Sequence, residues 1–512
     1  MTKKIRRIGI IDIGSNSIRL VIYEHDDRGA HRILGEWKES ARLSERIGTD
    51  GMLREADILA VAQVLLHFRG ICETYGAATI RAAATAAVRS AANSAEVANS
   101  LRRRTGLAIE VLSGEEEARL GFLGVINTMS VRDGFLVDIG GGSTEVSLFK
   151  ERRLLHSVSF PFGAVNTCRA FTRSGELDAG QQQAVKAMIE QAAAAHPWLF
   201  TSPGLPLIGL GGTVRTLGKL DQRRRKYPFA QAHNYRVPAE SVDELSAALA
   251  AMPVAKRKKI DGMPKERADI IAPGLLILQT LFRLIGAAEY VVSGAGLRDG
   301  LFYETVAPHR PVADDVLESS VNNLLALHAF MPEAHIRQVE RLALKLFDDL
   351  RPLHGLSAAH RSYLSVAARL YRLGAAVHYY QYHRHTFYMV AYSRLDGLSH
   401  REILLCALIA AHKTKNRTRQ TLQPYRDIMT ESDESLAAKL GTLLQLAVAL
   451  DRSETQPVEA VEAEAAADAV RIRLRSREQP LLELKEAASV DKEFQKAWNM
   501  RLEFSSEAFS TN

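Results

Sequence analysis

Ile8–Tyr23 reads I-G-I-I-D-I-G-S-N-S-I-R-L-V-I-Y, two apolar runs flanking a polar turn. β-Branched residues dominate both runs, and Gly14, Ser15, Asn16 and Ser17 are turn formers, so the stretch predicts a β-hairpin with a polar tip. Asp12 ends the first strand, where a carboxylate can hold a hydrated cation. Ser15, Asn16 and Ser17 offer hydroxyl, amide and backbone N–H donors to an anion. Taken alone, the stretch reads equally well as an ordinary surface hairpin.

A second stretch of the same design changes that balance. Phe135–Phe149 reads F-L-V-D-I-G-G-G-S-T-E-V-S-L-F, a strand ending in Asp138, a small-residue turn from Gly140 through Gly141 and Gly142 to Ser143, then an alternating strand. The pattern D-I-G-x-x-S thus occurs twice. Two hairpins of one design predict two similar α/β halves facing each other across a cleft, each giving one loop to a phosphate chain. The sequence holds no G-x-x-x-x-G-K-[ST] stretch, which disfavours a P-loop enzyme.

Composition sets the outer bounds. A chain of 512 residues exceeds a single core, and three or four domains are expected. With 46% apolar and 24% charged residues it has a globular composition. Lys plus Arg number 66 against 59 Asp plus Glu, a net charge of +7 that favours a polyanionic partner without naming one. Cys72, Cys168 and Cys406 lie far apart, which argues against a disulfide framework or zinc cluster and fits a reducing cytoplasm. The basic start M-T-K-K-I-R-R runs straight into a strand with no signal-peptide pattern. Ile270–Ile285, the most apolar candidate span, is interrupted by Pro273, Gly274, Gln279 and Arg283, so no membrane span is expected.

Further along, a strand is expected near Arg32–Trp37, a helix over Arg54–Tyr75 and a strand over Thr79–Ala84. Thr85 and Arg89 follow, four apart; a helix starting there puts both on one face, where hydroxyl and guanidinium could hold one phosphate. Asn93 is the expected cap of the next helix, which ends at Arg102–Arg104 and Gly106. Leu107–Leu112 reads as a strand before S-G-E-E-E-A-R-L. Ser113 can cap that helix, with Glu115, Glu116 and Glu117 in its first turn. Capping accounts for one or two of these glutamates but not three, and one facing the cleft could orient and deprotonate water beside a phosphate. Leu205–Leu210 then enters G-G-T, where Gly211 and Gly212 permit close backbone approach and Thr213 opens a helix. Glu289–Val292 leads into S-G-A-G-L-R-D-G, a fourth strand and glycine turn.

D-I-G-S-N-S-I-R-L, A-T-A-A-V-R, S-G-E-E-E-A-R-L, D-I-G-G-G-S-T-E, G-L-G-G-T and S-G-A-G-L-R-D-G, in this order, resemble the exopolyphosphatase and guanosine pentaphosphate phosphohydrolase family of the actin and sugar-kinase superfamily. The resemblance covers roughly the first 305 residues. It implies an α/β fold with two ribonuclease H-like domains flanking a cleft, and a magnesium-dependent hydrolase. That enzyme would take the terminal phosphate from inorganic polyphosphate or, alternatively, guanosine pentaphosphate. A phosphotransferase of the same superfamily is a further alternative. The resemblance makes Glu117 the catalytic base and sets Asp12, Asp138 and Glu145 near the metal or the attacking water. It gives Gly14 to Ser17 and Gly140 to Ser143 to two phosphate loops, and Thr85 with Arg89 to a terminal-phosphate clamp. It also includes Arg267, in E-R-A-D-I-I-A-P-G. A homodimer is what it suggests for the long form.

From about Val312 the pattern turns to long helices rich in Leu and Ala. Long family members resemble the HD phosphohydrolase fold here, but the aligned His-Asp pair falls at Tyr371 and Arg372, so a second catalytic metal site is not expected, although His378, His385, His412 and Asp451 remain. Lys413, Lys415, Arg417 and Arg419, with the runs Arg223–Lys226 and Lys256–Lys259, could contact spaced phosphates of a polyanion; no specific nucleic-acid partner is indicated. Val458–Ala467 reads as a linker or exposed turn, and Val470–Leu474 with Leu481–Leu484 as strands of a small terminal domain before a polar tail. The expected domains are 1–125 and 126–306 (α/β), 312–455 (helical, HD-like) and 456–512 (small α+β).

Overall fold

The computed structural model of the chain describes residues 4–172, 175–476 and 478–508. They form two compact units, Met1–Val316 and Leu317–Asn512.

The first unit holds two sheets of matching connectivity. In one, β1 (Arg6–Ile13), β2 (Ser17–His25), β3 (His31–Ser40), β4 (Thr79–Ala84) and β5 (Ile109–Val111) lie in the order β3-β2-β1-β4-β5. The hairpins β1–β2 and β2–β3 are antiparallel, whereas β4 and β5 run parallel to β1. The other sheet has β6 (Gly134–Ile139), β7 (Thr144–Lys150), β8 (Arg153–Phe160), β9 (Leu207–Leu210), β10 (Tyr235–Val237) and β11 (Tyr290–Val292) in the order β10-β11-β9-β6-β7-β8. Here too a meander of three antiparallel strands is extended from its first strand by parallel ones. The expectation of two like halves therefore holds at the level of strand order, with β10 an antiparallel addition at the edge.

β1 reads as a nearly continuous apolar run because both faces of its sheet are covered, as parallel sheets require. Ile11, Ile13, Ile18 and Leu20 pack under the helices Glu55–Thr74 and Ser94–Thr105. Ile8, Ile10, Val21 and Tyr23 pack with Leu120 of the Gly114–Ile126 helix and with Leu301 and Phe302 of the Leu297–Val306 helix. Tyr23 stacks on Phe302 with ring centroids 4.2 Å apart. The Leu297–Val306 helix thus returns from the second sheet to cover the first. It crosses the Gly114–Ile126 helix at Gly300, where any Cβ would collide with the Leu120 carbonyl, so the two backbones meet directly.

In the second unit, helices including Glu333–Asp349, Ala358–Leu370, His400–Ala410 and Glu431–Ala449 precede β12 (Val458–Ala465), β13 (Ala469–Ser476), the helix Leu481–Trp498 and β14 (Arg501–Ala508). β13 pairs antiparallel with β12 and parallel with β14, the helix making the crossover.

Four expectations are corrected. Val458–Ala467 is no linker, because Val458 and Val461 are buried and the stretch forms β12. Leu481–Leu484 starts a helix, and β14 stands where a polar tail was expected. Asn93 precedes its helix, but its side chain bonds the Leu53 backbone on both sides instead of capping. Arg257, in the basic run, is fully buried and donates to the Gly175 and Ala268 carbonyls, so it contacts no surface ligand. Among the described residues no helix is long and apolar enough to cross a membrane.

Candidate active site

The two D-I-G turns are built alike and lie against each other. Gly14 N–H donates to Ser17 O at 3.2 Å, and Gly140 N–H to Ser143 O at 3.0 Å. A Cβ at Gly141 would lie 3.0 Å from the Ser15 Cβ, so the second loop needs glycine to approach the first. Residues 41–44 pin the first loop: Ala41 and Arg42 N–H donate to Asn16 O, and Ser44 N–H to Ser15 O.

Between the loops lies a cavity of about 130 Å³ lined by Asp12, Gly14 to Ser17, Thr85, Glu117, Asp138, Gly140, Gly141, Ser143, Gly211, Gly212 and Arg267. Most of the expected site residues thus come together from six separate stretches. Four others, Arg89 among them, sit elsewhere. Thr213 is buried, its side chain turned toward Gly274. Gly142 lines a neighbouring cavity with Arg89. Glu145 is buried and accepts a 2.7 Å hydrogen bond from Ser159 Oγ.

Thr85 and Arg89 do not clamp one point. Thr85 faces the cavity, whereas Arg89 donates to the Glu117 carboxylate at 2.6 Å and to Leu112 O at 3.1 Å. The surplus of glutamates in E-E-E is also resolved. Glu116 forms a capping box with Ser113, leaving Glu117 to point into the cavity. Burial, then the nearby Glu145 charge, raises the Glu117 pKa well above the usual carboxylate range, with Arg89 opposing both. Burial, with Asp138 adding to it, pushes Glu145 up to about 7. Burial also pushes Asp138 up to about 6 against the pull of Arg215, and raises Asp12.

Sequence reasoning missed much of the cationic lining. Arg19, Arg215 and Arg298 line the same cavity. Burial is the main cause lowering Arg19, and it brings both Arg215 and Arg267 down to about 10. Arg298 is paired with Glu36 at 2.6 Å, but among the described residues Arg19, Arg215 and Arg267 have no carboxylate in ion-pair contact. Each carried a signal: Arg19 interrupts the apolar alternation of I-R-L-V-I, and Arg215 and Arg298 open helices right after glycine turns. A recessed guanidinium without a counter-ion is costly, and it is the expected form of a site that awaits an anion. Gly212 is part of this arrangement, since a Cβ there would overlap the Arg267 guanidinium.

The donor set suits magnesium, which prefers one or two carboxylates, waters and substrate phosphate oxygens. Asp12 and Asp138 both line the cavity, and each is raised by burial that a cation would offset.

The family model described as the Ppx/GppA phosphatase family matches residues 21–309, more than half of the chain. This chain belongs to the Ppx/GppA phosphatase family. The model for Ppx/GppA phosphatase, domain III, matches residues 316–494. The crystal structure of the Aquifex aeolicus Ppx/GppA family member is 26% identical, matching 60% of this chain and 99% of its own with a TM-score of 0.53. A second structure, of the Aquifex aeolicus PPX-GPPA enzyme, is 28% identical, matching 58% and 99% at 0.51. An exopolyphosphatase from Cytophaga hutchinsonii, 23% identical, shares the fold over 60% of this chain and all of its own at 0.55.

In the domain III region of this Ppx/GppA phosphatase, the singled-out side chains have other partners. Asp451 pairs with His335 at 2.7 Å, and the other ring nitrogen of His335 lies 2.5 Å from Tyr371 Oη. All three are buried. His412 Nδ1 lies 2.8 Å from Thr418 Oγ1, and His378 is exposed. His335 drew no notice in the sequence because its partners lie 36 and 116 residues away. Of the basic runs, Arg223 and Arg224 meet acidic neighbours and Arg419 meets Glu434, which leaves less free charge than the sequence suggested, while Arg417 contacts His383.

Proposed function

We propose that this phosphatase is an exopolyphosphatase, hydrolysing the terminal phosphoanhydride of inorganic polyphosphate with the help of a divalent cation. The observation that carries this reading is the trio Arg19, Arg215 and Arg267, which face one cavity with no carboxylate in ion-pair contact among the described residues while Glu117 stands in its wall. A guanosine pentaphosphate substrate would fit the same loops, but the cavity lining contains no aromatic side chain to stack on a purine. Polyphosphate is therefore the favoured substrate.

Glu117 accepts a proton from water as the water oxygen bonds to the terminal phosphorus. The bond from that phosphorus to its bridging oxygen breaks, and the electron pair stays on the shortened chain. The loop N–H groups of Gly14 to Ser17 and Gly140 to Ser143 steady the phosphate oxygens, and the three arginines take up the charge that grows on the leaving chain. Magnesium held by Asp12 and Asp138 would supply charge neutralisation at those oxygens. Glu145, behind the cavity, keeps a second acidic group near Glu117 and Arg89. The reading also includes a cytoplasmic homodimer.

The test is orthophosphate release from long-chain polyphosphate and from guanosine pentaphosphate, with and without magnesium. The reading expects faster release from polyphosphate and loss on chelation. Preference for the nucleotide would overturn it.

A further inference from the structure

A second cavity, of about 560 Å³, lies behind the first in the same unit. Ala86 and Ser143 line both, and the Arg89–Glu117 ion pair is the partition, because Glu117 lines the front cavity and Arg89 the rear one. The two differ in charge. The front one mixes four aspartates and glutamates with four arginines, whereas the rear lining has no acidic residue. It offers the guanidinium groups of Arg89 and Arg169 and the Ser90 hydroxyl, while the Asn166 amide is held by the Gly142 and Pro161 carbonyls and the Ser159 hydroxyl by Glu145. A lining whose only charged groups are the two arginines, set among Ile47, Pro161 and small residues, suits a small hydrated anion, and the guanidinium fork of Arg89 can exchange carboxylate for phosphate.

We propose that this rear cavity binds orthophosphate and is its way out. The inference rests on the hydrolase reading above. In an in-line displacement the phosphorus moves away from the leaving oxygen and toward the attacking water, here toward Glu117 and Arg89. The new orthophosphate therefore forms against the partition, with the shortened chain still occupying the front cavity and blocking return that way. The proton that Glu117 takes from water loosens its hold on Arg89 as the product forms, and Arg89 can follow the phosphate into the rear cavity.

The test follows cleavage and release separately under single-turnover conditions. Shortening of end-labelled polyphosphate is read by rapid quench, and free orthophosphate by a fluorescent phosphate-binding protein. Ser90→Trp narrows the rear cavity at an exposed rim position, and Arg169→Glu reverses the charge at its mouth. In both variants cleavage should stay within about twofold of the parent while free orthophosphate lags it by about tenfold, since release can limit turnover independently of chemistry. Arg169→Glu should also weaken inhibition by added orthophosphate. Coincident cleavage and release in both variants, or cleavage falling with no lag, would overturn the proposal. A parent protein that cleaves no phosphoanhydride would instead overturn the hydrolase reading.

Discussion

Replacing Glu117 by Gln should separate its chemical role from its structural one. The amide keeps the shape of the side chain and an oxygen for Arg89 Nη1, which now donates to the carboxylate at 2.6 Å, but it cannot take a proton from water. Loss of a positioned base costs about 10²–10⁴-fold in rate, or ~3–5 kcal/mol of barrier. Stability should move little. Burial and Glu145 both disfavour the Glu117 charge, and only Arg89 favours it. Removing that charge relieves repulsion from Glu145 and weakens one ion pair, two opposed changes of order 1 kcal/mol. The melting temperature should therefore stay within ~3 °C of the parent. The assay is single-turnover cleavage of end-labelled polyphosphate with saturating magnesium, alongside thermal melts. A variant cleaving within about threefold of the parent would refute the assignment of the base, as Glu117 would then be only a partner for Arg89.

Other substitutions test the surroundings. Arg215→Ala should raise KM for polyphosphate by about 10–100-fold while leaving the fold as stable or more so, because it removes a recessed charge that lacks an ion pair; a fall in melting temperature would contradict this. Gly212→Ala should displace Arg267 and mimic Arg267→Ala, so the double variant should be no worse than either single one, and additive losses would exclude the coupling. Gly300→Ala should destabilise the first unit by ~1–3 kcal/mol or more in chemical denaturation, through collision with the Leu120 carbonyl, and an unchanged midpoint would count against that close crossing. His412, buried and held at about 4 mainly by burial, stays neutral in the folded chain, whereas the unfolded chain protonates near 6.5. Its contribution is thus complete above pH 6.5 and is lost as pH falls toward 4, a loss of about 2 kcal/mol by pH 5. His412→Gln should show a smaller stability difference between pH 7 and pH 5 than the parent; an equal difference would refute it.

The phosphate loops were legible because backbone turn chemistry is local. D-I-G-x-x-S specifies strand end, turn and acidic residue within six residues, and both copies form the hairpins expected. What stayed hidden was set by distant partners. Arg89 looked like a clamp because Thr85 lies one turn away, but the Glu117 carboxylate, 28 residues on, decides where its guanidinium goes. Asn93 looked like a cap because helix starts favour it, but Leu53, 40 residues back, takes both ends of its amide. Val458–Ala467 reads as a linker or exposed turn because its acidic residues alternate with small ones. Only pairing with β13 shows that Val458 and Val461 line a buried face.

The repeat also gives the cleft a direction. In the first hairpin the cross-strand partner of Asp12 is Arg19; in the second, at the same register, the partner of Asp138 is Glu145. One scaffold position thus holds a cation on one side and an acid on the other, so the two halves do not treat a phosphate alike. On the proposed reading a polyphosphate's negative charge would be drawn to the Arg19 side, which Arg215, Arg267 and Arg298 reinforce, while the acids near Arg89 would repel it and favour water that must lose a proton. A symmetric pair of loops would hold a polyanion equally in either sense. Exchange at this register position, with the other arginines, accounts on that reading for the leaving chain and the nucleophile lying on opposite sides. It follows that Glu145→Gln, which keeps the size of the buried side chain and an acceptor for Ser159 Oγ, should leave binding of polyphosphate intact or tighter while slowing cleavage, and that combination in an equilibrium binding and turnover assay would separate the polarity of the site from its affinity. Cleavage unchanged in Glu145→Gln would show that the polarity comes from elsewhere.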